Sequence, residues 1–371
     1  MATKNKIGLS APDMGMGELA AVERVLKQGY LGPNSKETEA FEQEFEAFLG
    51  KGNGVLALNS GTAALHLALK VLGVGKGSFV LVQSFSFCAP AFAVSYTGAK
   101  PVFIDSEEAS WNMSPRFLEE ALDYFNEQDL LDRVGAIIVV HAYGSPAEMD
   151  AIVALSDQYQ VPIIEDAAEA IGASYKGRKV GTIGDLAVFS FNANKTLSTG
   201  GGGALISKNE YLLTKARVLA NQAKSTSPFY KHEAIGYNYA INSIAAAIGR
   251  EQLLRIDELV AARIKRFAQY CTYLGDKGVL KAQGTAQDSI ASRWLSAFRS
   301  QDPQLGYETL AKLNPSMEIR PVFRPIHMQE VYKKAHYFGR DCAETIFREG
   351  FLLPSGKGSE DINLINCSET D

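Results

Sequence analysis

The sequence contains no run of basic residues, no closely spaced cysteines and no long apolar stretch. Its 37 lysines and arginines are outnumbered by 42 aspartates and glutamates, so neither a nucleic acid nor an anionic membrane surface is expected as a partner. The four cysteines form no CxxC pair, so neither a zinc site nor a disulfide framework is indicated. The apolar stretches are too short for a signal peptide or a membrane span, which predicts a cytoplasmic protein without a membrane partner.

Short apolar runs alternate with stretches of helical spacing along the first two thirds of the chain. The runs are 54–59, 79–84, 100–104, 136–140, 161–165, 185–191 and 203–206. The helical stretches are 61–72, 114–126, 148–159 and 208–222. Several runs are apolar on both faces, which is typical of buried strands in a parallel sheet. The sequence therefore predicts an α/β fold with a mostly parallel, seven-stranded sheet flanked by helices.

The pattern changes after about residue 240. A single long helix is predicted over 241–274, followed by mixed strand and helix. We therefore predict a large domain over 1–240, with an N-terminal strap at 1–30, and a smaller C-terminal α+β domain over 241–371. The tail that follows the sequence LLPSG has no convincing final helix.

The stretch NSGTAALH at 59–66 follows the first predicted strand and begins a helix. Free backbone N–H groups at a helix N-terminus, together with the hydroxyl of Thr62, could bind a phosphate. The alternative is an ordinary serine or threonine N-cap. His66 lies within the apolar helix, where a packed histidine is expected.

Two later motifs carry charged groups at strand ends. Asp166 follows the strand VPII, and ligands of α/β sheets bind at the carboxyl ends of strands. Lys195 follows the next strand in a polar turn and precedes the glycines at 200–203. A desolvated lysine is a nucleophile that can form a Schiff base. Helix capping by Asp166 and a surface position for Lys195 are the alternatives for each motif alone.

Together, the three motifs occur in the order used by enzymes of pyridoxal phosphate (PLP). The chain resembles the DegT/DnrJ/EryC1/StrS family of nucleotide-sugar aminotransferases over nearly its whole length. The matching segments include SGTAALHLAL, FSFCAPAFAVSYTGAKPVFID, IIEDAAEAIGASYKGRKVGTIGDLAVFSFNANKTLSTGGGG, HEAIGYNYAINSIAAAIGREQL and IRPVFRPIHMQ. The resemblance implies the PLP fold type I architecture of aspartate aminotransferase.

The resemblance also implies roles for individual residues. Lys195 would hold PLP covalently and move a proton between substrate and cofactor. Asp166 would pair with the pyridine nitrogen, Phe87 would stack on the ring, and Glu169 would lie near the ring hydroxyl. The phosphate would be bound by Gly61, Thr62 and Ser190, and by Asn238 of a neighbouring subunit in a homodimer. Near the nucleotide sugar we expect Tyr30, His327 and, as weaker candidates that could equally serve packing, Tyr143 and His232.

The implied reaction moves an amino group from L-glutamate to a keto sugar carried on a nucleoside diphosphate. Within the family, the chain most resembles enzymes that aminate UDP-4-keto-6-deoxy-N-acetylglucosamine for surface glycans. GDP-perosamine synthases and 3-keto sugar aminotransferases are the alternatives. One departure is Ala240, which stands where many relatives carry an arginine.

Three other classes of protein fit these motifs less well. Dehydratases of the same fold replace the lysine with histidine, whereas Lys195 is present here. A non-catalytic protein of the fold would bind PLP without turning over glutamate. A dinucleotide-binding dehydrogenase is disfavoured, because the glycine pattern at 15–20 follows no predicted strand.

Overall fold

The computed structural model describes residues 6–225, 229, 231–275, 280–302 and 306–359. The strands are β1 (Gly54–Leu58), β2 (Phe79–Gln83), β3 (Lys100–Ile104), β4 (Val134–Val140), β5 (Ile163–Asp166), β6 (Ser174–Tyr175), β7 (Arg178–Lys179), β8 (Leu186–Ser190), β9 (Gly203–Ser207), β10 (Leu280–Ala282), β11 (Ser289–Ile290), β12 (Ser296–Ser300), β13 (Arg320–Pro321), β14 (Tyr337–Phe338) and β15 (Gly350–Leu353). The α-helices are α1 (Met16–Gln28), α2 (Lys36–Leu49), α3 (Gly61–Val71), α4 (Ala89–Tyr96), α5 (Pro115–Glu127), α6 (Met149–Tyr159), α7 (Glu210–Ala220), α8 (Ser243–Leu254), α9 (Ile256–Gly275), α10 (Tyr307–Leu313) and α11 (Cys342–Glu349).

A mostly parallel sheet lies at the centre of the fold, with the strand order β1-β9-β8-β5-β4-β2-β3-β14. Only β9 is antiparallel to its neighbours. All seven predicted strands are present in this sheet, which confirms the predicted α/β fold. The predicted count of seven is one strand short, because β14 has only two residues and so shows no periodic pattern.

Helices cover both faces of this sheet. In β2, Val80 and Val82 pack in a core with Leu65 of α3, whereas Leu81 packs on the opposite face with Leu118 of α5. Successive side chains of a strand point to opposite faces, so β2 is apolar at every one of these positions. Each fully buried side chain of this kind contributes about 1.5–3 kcal/mol of hydrophobic stabilisation.

The prediction of one long helix over 241–274 is wrong, because the structure has two helices, α8 and α9, separated at Arg255. Neither glycine nor proline stands at 253–257, so the local sequence carries no signal for this break. The Arg255 guanidinium lies 3.4 Å from Asp13 and 3.7 Å from Glu18, both near the N-terminus. Contacts with a distant segment therefore accompany the break.

The C-terminal part contains an antiparallel sheet with the order β10-β12-β15-β13. Phe298 of β12 and Phe351 of β15 pack against Tyr270 of α9. Residues near the N-terminus run along this part: Ile7 pairs with Met317. The division into domains at residue 240 stays a prediction. The part of the tail that follows residue 359 lies outside the described residues. None of the helices in the described ranges is long and apolar enough to cross a membrane.

Candidate active site

A cavity of about 970 Å³ opens at the carboxyl ends of β1, β5 and β8. Such a position is the usual ligand site of an α/β sheet. Seven predicted site residues line this cavity: Gly61, Thr62, Phe87, Asp166, Glu169, Ser190 and Lys195. Strands far apart in sequence therefore bring these groups to one place.

Lys195 lies in a tight turn directly after β8. Its backbone N–H donates to the carbonyl of Asn192 over 2.9 Å. The carbonyl of Asn194 accepts two further hydrogen bonds, from Ser10 Oγ (2.6 Å) and from Trp294 Nε1 (2.7 Å). Ser10, near the N-terminus, and Trp294, in the C-terminal part, therefore hold the turn that carries the lysine.

The Lys195 amine lies between a carboxylate and an aromatic ring. Its Nζ is 3.4 Å from Glu169 Oε1 and 3.6 Å from the centroid of the Trp294 ring. Burial raises the pKa of Glu169, against the opposing effects of Lys195 and of the Tyr143 N–H, which donates to Glu169 Oε2 over 2.8 Å. Glu169 is thus positioned to accept a hydrogen bond from Lys195.

Asp166, at the end of β5, is 5% exposed. Burial raises its pKa to about 6, and the nearby Glu169 acts in the same direction. Among the described residues, one donor reaches its carboxylate, the N–H of Ala168 at 3.1 Å. A buried carboxylate with one donor favours a protonated ligand atom as its second partner.

Glu165, the preceding residue, has the opposite environment. Its carboxylate accepts hydrogen bonds from the backbone of Gly181, Ile183 and Gly184, and Oε2 lies 3.2 Å from His141 Nε2. Burial acts to raise the pKa of Glu165, but these donors outweigh burial and the pKa is lowered. Glu165 is therefore satisfied within the protein, so of these two neighbouring carboxylates it is Asp166 that lines the cavity.

The N-terminus of α3 forms one end of the cavity. Ser60 Oγ accepts from the N–H of Ala63, and its carbonyl accepts from Ala64, so the cap satisfies the third and fourth amides of the helix. For the amides of Gly61 and Thr62, the structure records no protein acceptor among the described residues. The serine cap is therefore present, and the first two amides of the helix are available to an anion.

Phe87, in the connection between β2 and α4, forms part of the cavity wall. Its side chain is 61% exposed, and its ring centroid is 6.1 Å from that of Phe323. An exposed ring at this wall could stack on a planar ligand.

A comparison with protein families matches residues 12–365 to the DegT/DnrJ/EryC1/StrS aminotransferase family. EpsN of Bacillus subtilis (strain 168), described as a putative pyridoxal phosphate-dependent aminotransferase, is 38% identical over 95% of this chain and 91% of that protein. The GDP-perosamine synthase of Escherichia coli O157:H7 is 33% identical over 84% of each chain. The solved structure of DesV from S. venezuelae superimposes with a TM-score of 0.85 at 31% identity, over 96% of this chain and 95% of DesV.

The chain belongs to the DegT/DnrJ/EryC1/StrS aminotransferase family. It is a PLP-dependent aminotransferase, as the resemblance of its motifs implies. The predicted fold type I architecture agrees with that of its structural neighbours.

The cavity residues fit the PLP that this family uses. The amides of Gly61 and Thr62 and the hydroxyl of Ser190 suit a phosphate, and Asp166 suits a protonated pyridine nitrogen. Lys195 supplies the amine in the same cavity. The individual roles remain predictions, since they concern contacts with a bound cofactor.

Three predicted residues lie outside the cavity of their own chain. Asn238 is exposed, and its carbonyl accepts from Asn59 Nδ2 over 3.0 Å. Tyr30 is 55% exposed and donates its hydroxyl to the carbonyl of Pro33 over 2.8 Å. His232 is also exposed, and its Nδ1 lies 2.9 Å from the carbonyl of Gln222. These residues could act only on a neighbouring subunit or on a ligand that extends beyond this cavity.

Tyr143 and His327 lie beside the site rather than in its lining. Tyr143 is fully buried, and its hydroxyl accepts from the N–H of Phe323 over 2.8 Å. His327 Nδ1 lies 2.7 Å from Ser84 Oγ, and Nε2 lies 3.2 Å from Glu344. Substrate contact by either residue stays a prediction, whereas their present contacts hold the walls of the cavity.

Among the cavity-lining residues that the sequence motifs did not predict are Trp294, Arg320 and Arg324. Arg320 pairs with Glu318, and the side chain of Arg324 has no carboxylate partner within the described ranges. The motif IRPVFRPIHMQ contains both arginines, so it was the available signal. For Trp294 no local motif indicated the site.

Proposed function

We propose that this enzyme transfers the amino group of L-glutamate to the 4-keto carbon of a nucleotide-linked 6-deoxy sugar. UDP-4-keto-6-deoxy-N-acetylglucosamine is the proposed acceptor, and its 4-amino product would enter surface-glycan synthesis. The observation that carries the proposal is the Lys195 amine beside Glu169, in one cavity with Asp166 and the N-terminus of α3.

The size of the cavity and the two arginines in its lining support a large anionic substrate. At about 970 Å³ it is at the upper end of the range of ligand pockets, so it can hold a second molecule beside a cofactor. Arg320 and Arg324 line it and can contact a diphosphate. A GDP-linked 4-keto sugar is the second candidate, because a GDP-perosamine synthase is 33% identical to this chain.

Each charged residue has a distinct task in the proposed reaction. Bound PLP supplies an electron sink for negative charge on the substrate carbon. Lys195 Nζ would take the proton from the donor carbon and pass it to the cofactor, and in the second half-reaction it would return a proton to the sugar carbon that receives the amino group. Glu169 holds the lysine amine near this carbon, and the Asp166 carboxylate balances positive charge at the bottom of the cavity.

The active protein is proposed to be a homodimer with shared sites. Asn238 is exposed and does not line the cavity of its own chain, which leaves its side chain available to a partner. We also propose that the protein resides in a reducing compartment such as the cytoplasm, because the thiols of Cys88, Cys271 and Cys342 are free.

The first test is an absorbance spectrum of the protein with PLP, before and after addition of L-glutamate. We expect a band of lysine-bound cofactor near the visible edge, which shifts toward the near ultraviolet with L-glutamate. Lys195→Ala should lack both the band and turnover, and full activity in that variant would disprove the mechanism. The enzyme that has taken up the amino group of L-glutamate is then offered UDP- and GDP-linked 4-keto sugars and a 3-keto sugar. Amination of the UDP-linked sugar at C4 is the expected result.

A further inference from the structure

Three aromatic side chains stack beneath the site. The Tyr143 ring lies 4.8 Å from that of Phe323 at an interplanar angle of 23°, and 6.4 Å from that of Trp294 at 24°. Phe323 and Trp294 both line the cavity, whereas Tyr143 is fully buried between them. We call these three residues the aromatic stack. In this stack, two rings of the cavity wall pack against the buried ring of Tyr143.

Trp294 makes two contacts with the turn that carries the catalytic lysine. The face of its indole lies 3.6 Å from Lys195 Nζ, and its Nε1–H donates to the carbonyl of Asn194 over 2.7 Å. An ammonium group over an indole face is attracted by the ring electrons, most strongly where water is excluded. Trp294 is 4% exposed, so this contact is largely desolvated.

A closed set of hydrogen bonds fixes the position of Trp294 itself. Its carbonyl accepts from the Arg263 guanidinium over 2.7 Å, and the same nitrogen lies 3.2 Å from Ser10 Oγ. Ser10 Oγ in turn donates to the carbonyl of Asn194 over 2.6 Å. The N-terminal segment, α9 and the lysine turn are therefore joined around the indole.

We propose that Trp294 is a positioning residue that holds the free amine of Lys195 beside Glu169 whenever the lysine is not bonded to the cofactor. A transamination that goes through two half-reactions requires this free state in each of them, and that part of the inference rests on the proposed function. The face of the indole limits the positions of the amine on one side, and Glu169 limits them on the other.

The kinetic test compares Trp294→Leu with Trp294→Phe in the PLP-loaded enzyme. Loss of the ring face should lower the rate constant of the L-glutamate half-reaction roughly threefold to thirtyfold in Trp294→Leu. Trp294→Phe keeps an aromatic face and should recover part of that loss. The KM for L-glutamate should change by less than about twofold in both variants, because Trp294 is not proposed to bind the donor.

The matched control is Trp111→Phe, since Trp111 is the other tryptophan, is fully buried and does not line the cavity. This variant should lose stability without a change in the half-reaction rate constant. A wild-type rate constant in Trp294→Leu, or equal losses in Trp294→Leu and Trp111→Phe, would overturn the proposal. If Trp294→Leu does not fold, Trp294→Phe is compared with Trp111→Phe by the same measurements.

A second test needs neither cofactor nor substrate. Formaldehyde with cyanoborohydride is added to the cofactor-free protein, and methylation of Lys195 is followed by peptide mass spectrometry. Trp294→Leu should raise the methylation rate of Lys195 at least about threefold relative to wild type, because the ring no longer covers the amine. An unchanged rate would contradict the positioning role. Faster methylation in a protein that never reacts with L-glutamate would keep the inference and refute the proposed function instead.

Discussion

Two neighbouring carboxylates at the end of β5 differ in their surroundings and therefore in their chemistry. Glu165 points to a pocket of backbone donors, and the pKa of its carboxyl is lowered despite burial. Asp166 points to the cavity, and burial raises its pKa to about 6. Successive strand residues face opposite sides, so a shift of one residue would exchange their environments.

This difference predicts a pH-dependent effect of Asp166→Asn on the cofactor-free protein. The folded-state pKa of Asp166, about 6, lies above the unfolded value, so the folded protein loses stability as the pH rises through this value. Between pH 5 and 7.5 this loss amounts to about 1 kcal/mol. The Asp166→Asn variant lacks this loss, because asparagine does not titrate. The free energy of unfolding of the variant minus that of wild type should thus be larger at pH 7.5 than at pH 5 by this amount. Urea titrations at the two pH values measure this difference.

A difference that stays constant with pH would contradict the raised pKa of Asp166. In the PLP-loaded enzyme, Asp166→Asn should lower activity. There the ring nitrogen loses its charge partner, and the rate of the L-glutamate half-reaction should fall at least about a hundredfold. Unimpaired turnover would refute the role assigned to Asp166.

At the scale of elements, the start of α3 is packed tightly against the start of β9. A Cβ atom at Gly203 would lie 2.5 Å from the backbone nitrogen of Gly61, far inside the contact distance of real atoms. The backbone of β9 therefore passes directly behind the amide groups proposed to bind the phosphate. Glycine is needed at this position because of close approach rather than a left-handed backbone.

Gly203→Ala should displace the N-terminus of α3. We expect a loss of about 1–3 kcal/mol in the free energy of unfolding, together with weaker PLP binding in a fluorescence titration. Gly201→Ala is the matched control for stability, because the nearest atom to its added Cβ is 4.0 Å away. Equal unfolding midpoints for the two variants would show that the close approach at Gly203 has no energetic consequence.

For the whole molecule, the segment around Asn238 determines how two chains could share a site. Tyr237 and Tyr239 stack with ring centroids 4.9 Å apart, and the Tyr239 hydroxyl lies 3.2 Å from His66 Nδ1. His66 is thus a packed histidine, as expected, with its pKa lowered by burial. Both tyrosines contact this histidine, so Asn238, which lies between them in the sequence, is left on the exposed side.

Asn238→Ala should therefore weaken PLP retention by about tenfold, measured by dialysis, without loss of the fold. Mixing Asn238→Ala with Lys195→Ala chains provides a sharper measurement. In a mixed dimer with shared sites, one site has both residues intact, so activity at low PLP concentration should exceed that of either variant alone. No gain on mixing would place the action of Asn238 within its own chain.

The local sequence determined the parts of this protein that depend on neighbouring residues. Strand periodicity predicted every strand of five or more residues in the central sheet, and motifs at strand ends predicted the residues at 61–62, 166 and 195 that line the cavity. Parallel strands end at one edge of a sheet, so these motifs converge once the fold class is known. Family membership follows from the same motifs.

Tertiary structure decided what depends on packing between distant segments. The break at Arg255, the two-residue strand β14 and the position of Trp294 beneath Lys195 have no local signal. Each arises where the C-terminal part meets the central sheet or the N-terminal segment, across separations of about 100 residues or more. Periodicity reports only which face of an element is buried, whereas the partner on that face is selected by the packing of the complete chain.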